Sequence, residues 1–346
     1  MNIPRFAHAE SHLWDKEGEF ILFVKALDSN KCGSIEWFIE HRDAILKAMD
    51  RFGVVFFRGF PVDSRGFEAI VDELAPEPLP YLGGVSPRAF VHGTVYTASE
   101  SPQTLAIVQH HEMSYHSYSP RYVAFYCQTP AASGGATTIS DGRAFGRMMD
   151  SAARRVMDEL NEKGVLFVRN YNQYNSKSWK DTWHTSDKAE LEQMLRAATA
   201  EWEWVEGDWL RTRQTKPALI RDPLSGARVV FSSINIWQRK FSSNISEAYA
   251  LPLWGEEGSQ PYQSFFGDGT PIPEEFIDLM HKTHDGQLVN IPWQPRDFML
   301  INNFVGAHGK ERWQGTTREI FVTLREKVDI TRLARSRGTP EAPLHG

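Results

Sequence analysis

Cysteine is nearly absent: 346 residues hold two, Cys32 and Cys127, with no paired spacing. A disulfide framework is therefore excluded, and a reduced, cytoplasmic protein is the plain expectation. No stretch approaches the roughly 18 apolar residues of a membrane span. The opening MNIPRFAHAESHLWDKEGEF lacks the basic-then-apolar order of a secretory signal. There is no surplus of positive charge either. A net charge of -6 gives no footprint for nucleic acid or an anionic membrane surface. Repeats, low-complexity tracts and linker-like stretches are also missing before a polar, Pro/Gly-rich tail at 335–346. What remains is one expected domain over 1–334 and an expected flexible tail.

What is present is ordinary in bulk and unusual in detail. Apolar residues make up 41% and charged ones 24%, as in a soluble globular chain. Aromatics reach 12%, with 11 Trp and 21 Phe, beside 19 Pro. That mixture suits short strands and long structured loops better than a helical bundle.

Periodicity fills in the elements. Ser34 is an N-cap for a helix running to about Phe52, with Ile35, Phe38, Ile39, Ile45, Leu46 and Met49 on one stripe. Gly53 stops it, and Val54–Phe57 reads as a buried strand. A second helix covers Ser64 to Leu74, and residues 80–104 read as a long ordered loop. Thr104–Val108 and Tyr122–Cys127 read as strands. Phe145 to Lys163 reads as one helix with Met148, Met149, Val156 and Leu160 inward. Val165–Val168, Ala218–Arg221 and Arg228–Phe231 are further strands, the last two joined by the turn Asp222-Pro223-Leu224-Ser225-Gly226. A helix near Lys188–Ala198 interrupts the series. Phe298–Asn302 and Glu319–Leu324 flank a loop carrying His308. The expected fold is mainly β with helical decoration, a double-stranded β-helix (a jelly roll, cupin-like).

One constellation carries chemistry. His110 and Glu112 are two apart just past a strand, so both side chains leave the chain on one side. His308 follows almost two hundred residues later. Two imidazoles and a carboxylate are the facial ligand set of non-haem iron(II), which leaves coordination positions open. The helical H-E-x-x-H pattern of zinc hydrolases is absent. Alone the pattern is weakly specific, because the chain has 12 His. His116 competes as a ligand, His111 points away by strand alternation, and His281 and His284 are read as surface residues of a helix.

The surrounding sequence is more specific. His110-His111-Glu112-Met113-Ser114-Tyr115 leads into Pro120, then Phe125-Tyr126-Cys127 and Gly134-Gly135-Ala136-Thr137. Upstream stand Ser86-Pro87-Arg88 and Tyr96-Thr97-Ala98-Ser99-Glu100. Downstream are Arg169-Asn170-Tyr171, Leu210-Arg211-Thr212-Arg213, Asn303, His308-Gly309 and Arg318. From Gly53 to Leu324 this resembles the TauD/TfdA superfamily of dioxygenases, in the branch typified by the syringomycin-pathway aspartyl hydroxylase.

The resemblance implies iron(II) on His110, Glu112 and His308, with 2-oxoglutarate and dioxygen as cosubstrates. It places Thr137 and Arg318 at the 2-oxoglutarate carboxylate, where a planar guanidinium fork suits the acid. Arg312 and Arg325 stay as rivals because the offset from the distal His varies. A retained Glu112 implies hydroxylation rather than halogenation, with desaturation, epoxidation or cyclisation as alternatives. The implied partner is a small molecule, an amino acid or its derivative in natural-product biosynthesis, free or on a carrier protein; no nucleic acid or membrane is expected. Two departures, at Arg221–Gly226 and Val230–Ser233, point to a different substrate from that of the aspartyl hydroxylase. Arg88 and Arg221 are candidates for a substrate carboxylate, with a structural salt bridge as the blander role. Residues 237–270 read as a lid. The non-enzymatic alternative is a catalytically silent jelly-roll binding module.

Overall fold

The computed structural model describes residues 3–15, 19–172, 174–175, 177–205, 207–238, 244, 247 and 258–335. Half of the expected lid segment, 239–243, 245–246 and 248–257, and the tail beyond 335 lie outside the described residues.

Alternation along the strands builds the architecture. In Val54–Arg58, Phe298–Asn302 and Tyr118–Thr129, successive side chains leave opposite faces. Val55, Phe57, Phe298, Leu300, Tyr122, Ala124 and Tyr126 pack on one side with the helices Ile35–Glu40, Arg42–Phe52 and Ser64–Leu74. Val54, Phe56, Met299, Ile301, Val123, Phe125 and Cys127 pack on the other, against Ile139, Ile291 and Trp293. These strands belong to an eight-stranded major sheet that also holds Ala9–Asp15, Phe20–Ala26, Glu319–Asp329, Val95–Thr97 and Phe90–His92.

Facing it is a four-stranded minor sheet: Val289–Asn290, Thr137–Asp141, Gly306–Lys310 and Ile107–His110, in that order. Two sheets enclosing one core make the jelly roll that composition and pattern suggested. A third sheet, Glu201–Trp204, Leu210–Lys216, Val165–Tyr171 and Tyr262–Phe266, packs with the helices Gly142–Ala152, Arg154–Lys163 and Glu274–Asp285 over a separate apolar cluster.

Several expectations need correction. The first long helix is two, broken at His41 (φ -99, ψ 5), whose Nδ1 lies 2.8 Å from the Trp37 carbonyl. The helix expected over 145–163 is likewise two, broken at Ala153 (φ -141, ψ 43), and Met148 faces solvent. Residues 80–104 contain two short edge strands. The end of the expected lid, Tyr262–Phe266, is a strand paired with Val165–Arg169.

Candidate metal centre

His308 sits in the strand Gly306–Lys310, not in a loop. Its glycine-rich sequence has little intrinsic strand preference, but strands on both flanks fix it: His308 is in register with Ile139 on one side and His110 on the other. Gly309 is demanded by that packing. A Cβ there would lie 2.3 Å from the Ile107 carbonyl oxygen and 2.7 Å from Thr138 Oγ1.

His110 ends its own strand, and Glu112 lies on the turn that follows. Met113 in that turn is left-handed (φ 55), and Asn303 clamps it from outside. The Asn303 amide oxygen accepts from Glu112 N–H at 2.8 Å. Its amide nitrogen donates to the carbonyls of Glu112 and Pro120 at 3.1 and 2.9 Å, and to Ser119 Oγ at 2.9 Å.

The result is convergence. The ligand atoms of His110, Glu112 and His308 all lie within 4.8 Å of one another, and the two imidazole centroids are 4.5 Å apart. His110 Nδ1 meets the Val108 carbonyl at 2.9 Å, which leaves Nε2 for a metal. His308 Nε2 stands 3.6 Å from Glu112 Oε2. Burial, then the neighbouring His308, lower His110 to about 4, so the ring is neutral near pH 7, as a ligand must be. Burial works against the Glu112 charge, but Arg88 and His308 outweigh it and hold the carboxyl well below its usual range. Two imidazoles and an ionised carboxylate, converging and buried, fit a divalent metal with open positions.

The competing histidines are elsewhere. His111 turns away, as alternation required, and its Nδ1 lies 2.6 Å from the Asn303 carbonyl. His116 stacks on Tyr118. His284 corrects the surface reading: it is 8% exposed, stacked on Phe145 at 3.8 Å, with Nδ1 3.3 Å from Ser140 Oγ. Phe276, Met280 and His284 recur every four residues, a signal that could have placed it inward.

His110 and His308 open into a cavity also lined by Thr137, Arg318, Lys310, Arg88, Ser86 and Phe125. Arg318 Nε donates to the Gly135 carbonyl at 2.8 Å, tying it to the turn before Thr137. Thr137 is buried, and its hydroxyl accepts from Trp293 Nε1 at 3.3 Å. The rival arginines separate cleanly. Arg312 is exposed. Arg325 leaves the opposite face of the major sheet, where it pairs with Asp72 at 2.8 Å and donates to Thr94 Oγ1 at 2.7 Å.

Lys310 was missed. It is two residues past His308 on one strand, so it shares that face, which reading His308 in a loop concealed. Its Nζ meets, among the described residues, the Pro102 and Ser101 carbonyls at 3.2 and 3.5 Å. Among the described residues, no carboxylate pairs with Lys310 or Arg318, and burial lowers them to about 8 and about 10. Arg88 is in a salt bridge, but with the candidate ligand itself: Nη2 to Glu112 Oε2 is 2.6 Å, and its guanidinium lies 4.0 Å over the Tyr81 ring. Arg221 is exposed and donates to the Gly226 carbonyl in its own hairpin, away from any substrate role. Ser233, at the second departure, is buried with its hydroxyl 2.6 Å from that of Ser114.

The model of the taurine catabolism dioxygenase TauD, TfdA family matches residues 35–324. The chain belongs to this family. It is 31% identical over 267 residues to a clavaminate synthase-like protein of Arabidopsis thaliana, covering 75% of this chain and 77% of that one. It is 27% identical over 303 residues to the dapdiamide synthesis protein DdaC of Enterobacter agglomerans, covering 87% and 90%. In fold, PvcB of Pseudomonas aeruginosa superposes with a TM-score of 0.53 at 14% identity, over 94% of each chain. AAD-2, solved with Mn(II) and N-oxalylglycine, gives 0.53 at 12% identity, over 92% of this chain and 96% of its own. This TauD/TfdA member is thus a dioxygenase, and no helix among its described residues is long and apolar enough to cross a membrane.

Proposed function

We propose that this iron(II)- and 2-oxoglutarate-dependent dioxygenase hydroxylates an amino acid or an amino-acid-derived molecule, free or carrier-bound, in natural-product biosynthesis. The convergence of His110, Glu112 and His308, with both imidazoles lining a cavity that also holds Thr137 and Arg318, carries this reading. When bound, the iron supplies oxygen activation: 2-oxoglutarate loses carbon dioxide to become succinate with one oxygen atom, and the substrate gains the other.

The chain's own residues do the rest. His110, Glu112 and His308 hold the metal, with Asn303 fixing the turn that carries Glu112. Arg318 and Thr137 bind the distal carboxylate of 2-oxoglutarate, and Lys310 adds a second cation beside them. Arg88 orients Glu112. Glu112 would fill the position on a bound iron that related halogenases open to halide with a small residue, which favours hydroxylation over halogenation. The biosynthetic context draws support from DdaC, a relative named for dapdiamide synthesis. A cytoplasmic setting belongs to the same reading, supported by two buried, unpaired cysteines.

Anaerobic titration of the apoprotein with iron(II) and 2-oxoglutarate tests it. A visible metal-to-ligand charge-transfer band at one iron per chain is expected; no band at saturating ligands overturns the reading. Succinate release should vanish in His110→Ala and His308→Ala. A screen over free amino acids and carrier-bound aminoacyl thioesters then identifies the substrate form.

A further inference from the structure

A second cavity lies apart from the metal centre, between the third sheet and the segment 83–116. Tyr115, Phe167, Tyr171, Trp183 and Trp237 give it aromatic walls. Three of its lining residues, Arg169, Trp237 and His116, each bury a polar atom that has no hydrogen-bond partner among the described residues: Nε, Nε1 and Nε2 respectively. All three side chains are at least nine-tenths buried.

Arg169 is the centre of the problem. It is 2% exposed, and among the described residues its other nitrogens donate to neutral groups, the Gly83 and Gly84 carbonyls at 3.0 and 3.5 Å and Thr182 Oγ1 at 3.4 Å. The guanidinium lies over the rings of Tyr171 and Tyr262 at 4.4 and 5.2 Å. Among the described residues no carboxylate pairs with it. The nearby Lys216 is also buried, and it donates to the Ser114 and Phe231 carbonyls without an acidic partner among the described residues. Aromatic faces and carbonyls only partly offset the loss of water around a guanidinium. Water in the cavity would satisfy the donors and leave the charge uncompensated.

We propose that this cavity is an anion-binding pocket in which Arg169 Nε and Trp237 Nε1 donate to a small monoanion, either a free halide or the carboxylate of an organic ligand. His116 completes the pocket through Nε2; its ring can present an N–H there in one neutral tautomer. Tyr115, one wall of the pocket, is three residues from Glu112. An occupant therefore bears on the turn that carries the metal ligand.

The test needs neither iron nor 2-oxoglutarate, so its outcome is independent of the oxygenase reading. Crystals of the metal-free protein are soaked in bromide, and bromide is titrated calorimetrically in solution. Expected is an anomalous peak within hydrogen-bonding distance of Arg169 Nε and Trp237 Nε1, with saturable binding. Trp237→Phe keeps the ring and removes one donor, and should weaken binding roughly tenfold or more, the worth of one hydrogen bond to an ion. Arg169→Met should abolish it; if that variant does not fold, Trp237→Phe still decides. Displacement of bromide by acetate assigns the pocket to carboxylates, and displacement by chloride alone assigns it to halides. Water in place of bromide in the wild-type crystal, binding at crystal concentration only, or an unchanged affinity in Trp237→Phe overturns the proposal.

Discussion

Replacing Asn303 by alanine should damage the metal centre without touching a ligand. Asn303 is fully buried, and its side chain makes four hydrogen bonds to the turn and strand around Glu112. Alanine leaves the Glu112 N–H and the Pro120 carbonyl without that partner, whereas the Glu112 carbonyl keeps Ser119 Oγ at 2.6 Å. Each orphaned buried group costs about 1–3 kcal/mol, so a loss of roughly 2–6 kcal/mol in stability is expected. The metal should feel more than that average, because outer groups that orient a ligand typically change affinity ~10–100-fold. Asn303→Asp sharpens the test. It keeps the acceptor for Glu112 N–H but aims a negative charge at two carbonyl oxygens, so it should be worse than alanine. Mn(II) titration and urea unfolding measure both effects. If Asn303→Ala binds Mn(II) within about twofold of wild type and loses under ~0.5 kcal/mol, the clamp is not what holds Glu112 in place.

Other outcomes follow from the same structure. Arg325→Met should destabilise the fold, since it removes the ion pair with Asp72 and the hydrogen bond to Thr94, yet leave 2-oxoglutarate affinity unchanged; a large affinity loss would return Arg325 to the cosubstrate site. Arg318→Met and Lys310→Met should each reduce the preference for 2-oxoglutarate over 2-oxopentanoate, which lacks the distal carboxylate; an unaltered preference in Lys310→Met removes it from that subsite. Burial, first among the causes, lowers His111, His116 and His284 from 6.5 to about 3. The unfolded chain therefore binds more protons between those values, so stability is full above about pH 6.5 and falls as pH drops. The slope approaches ~1.4 kcal/mol per pH unit for each histidine. Urea midpoints at pH 7, 6 and 5 check this, and a flat profile refutes it.

Much of this was legible in the chain because its strongest signals are local. Ser64–Leu74 and Phe298–Asn302 form where their patterns place them, since one apolar stripe satisfies a single core face and one unbroken apolar run satisfies a core on each face of the sheet. The ligand set was legible through the family resemblance rather than through spacing. What failed depends on distant neighbours. Nothing in Gly306–Lys310 announces a strand; its flanking strands make it one, and only then do His308 and Lys310 share a face. Arg318 and Arg325 look equivalent in sequence, whereas the major sheet sends Arg325 to the helical side. The helix break at Ala153 has no local signature, and Arg169 gave no hint of being buried without an acid.

Charge in the metal cavity leads to a final expectation about binding order. Arg88, Lys310 and Arg318 line it, and among the described residues Glu112 is the only carboxylate in a salt bridge with any of them. Positive charge in excess repels a divalent cation and attracts a dianion. On the proposed reading, the distal carboxylate of 2-oxoglutarate on Arg318 and Lys310 would cancel part of that repulsion at a distance from the metal. Coupling between metal and cosubstrate is reciprocal, so each should tighten the other beyond what chelation alone gives. 2-Oxopentanoate separates the two contributions, because it offers the same chelating end without the distal charge. Mn(II) affinity should rise more with 2-oxoglutarate than with 2-oxopentanoate, by ~tenfold if the relieved repulsion is worth about 1.4 kcal/mol. In Lys310→Met the Mn(II) affinity without cosubstrate should increase and that difference should shrink. Equal enhancement by the two oxo acids would mean that the cations sit too far from the metal, or are too well screened, to act on it.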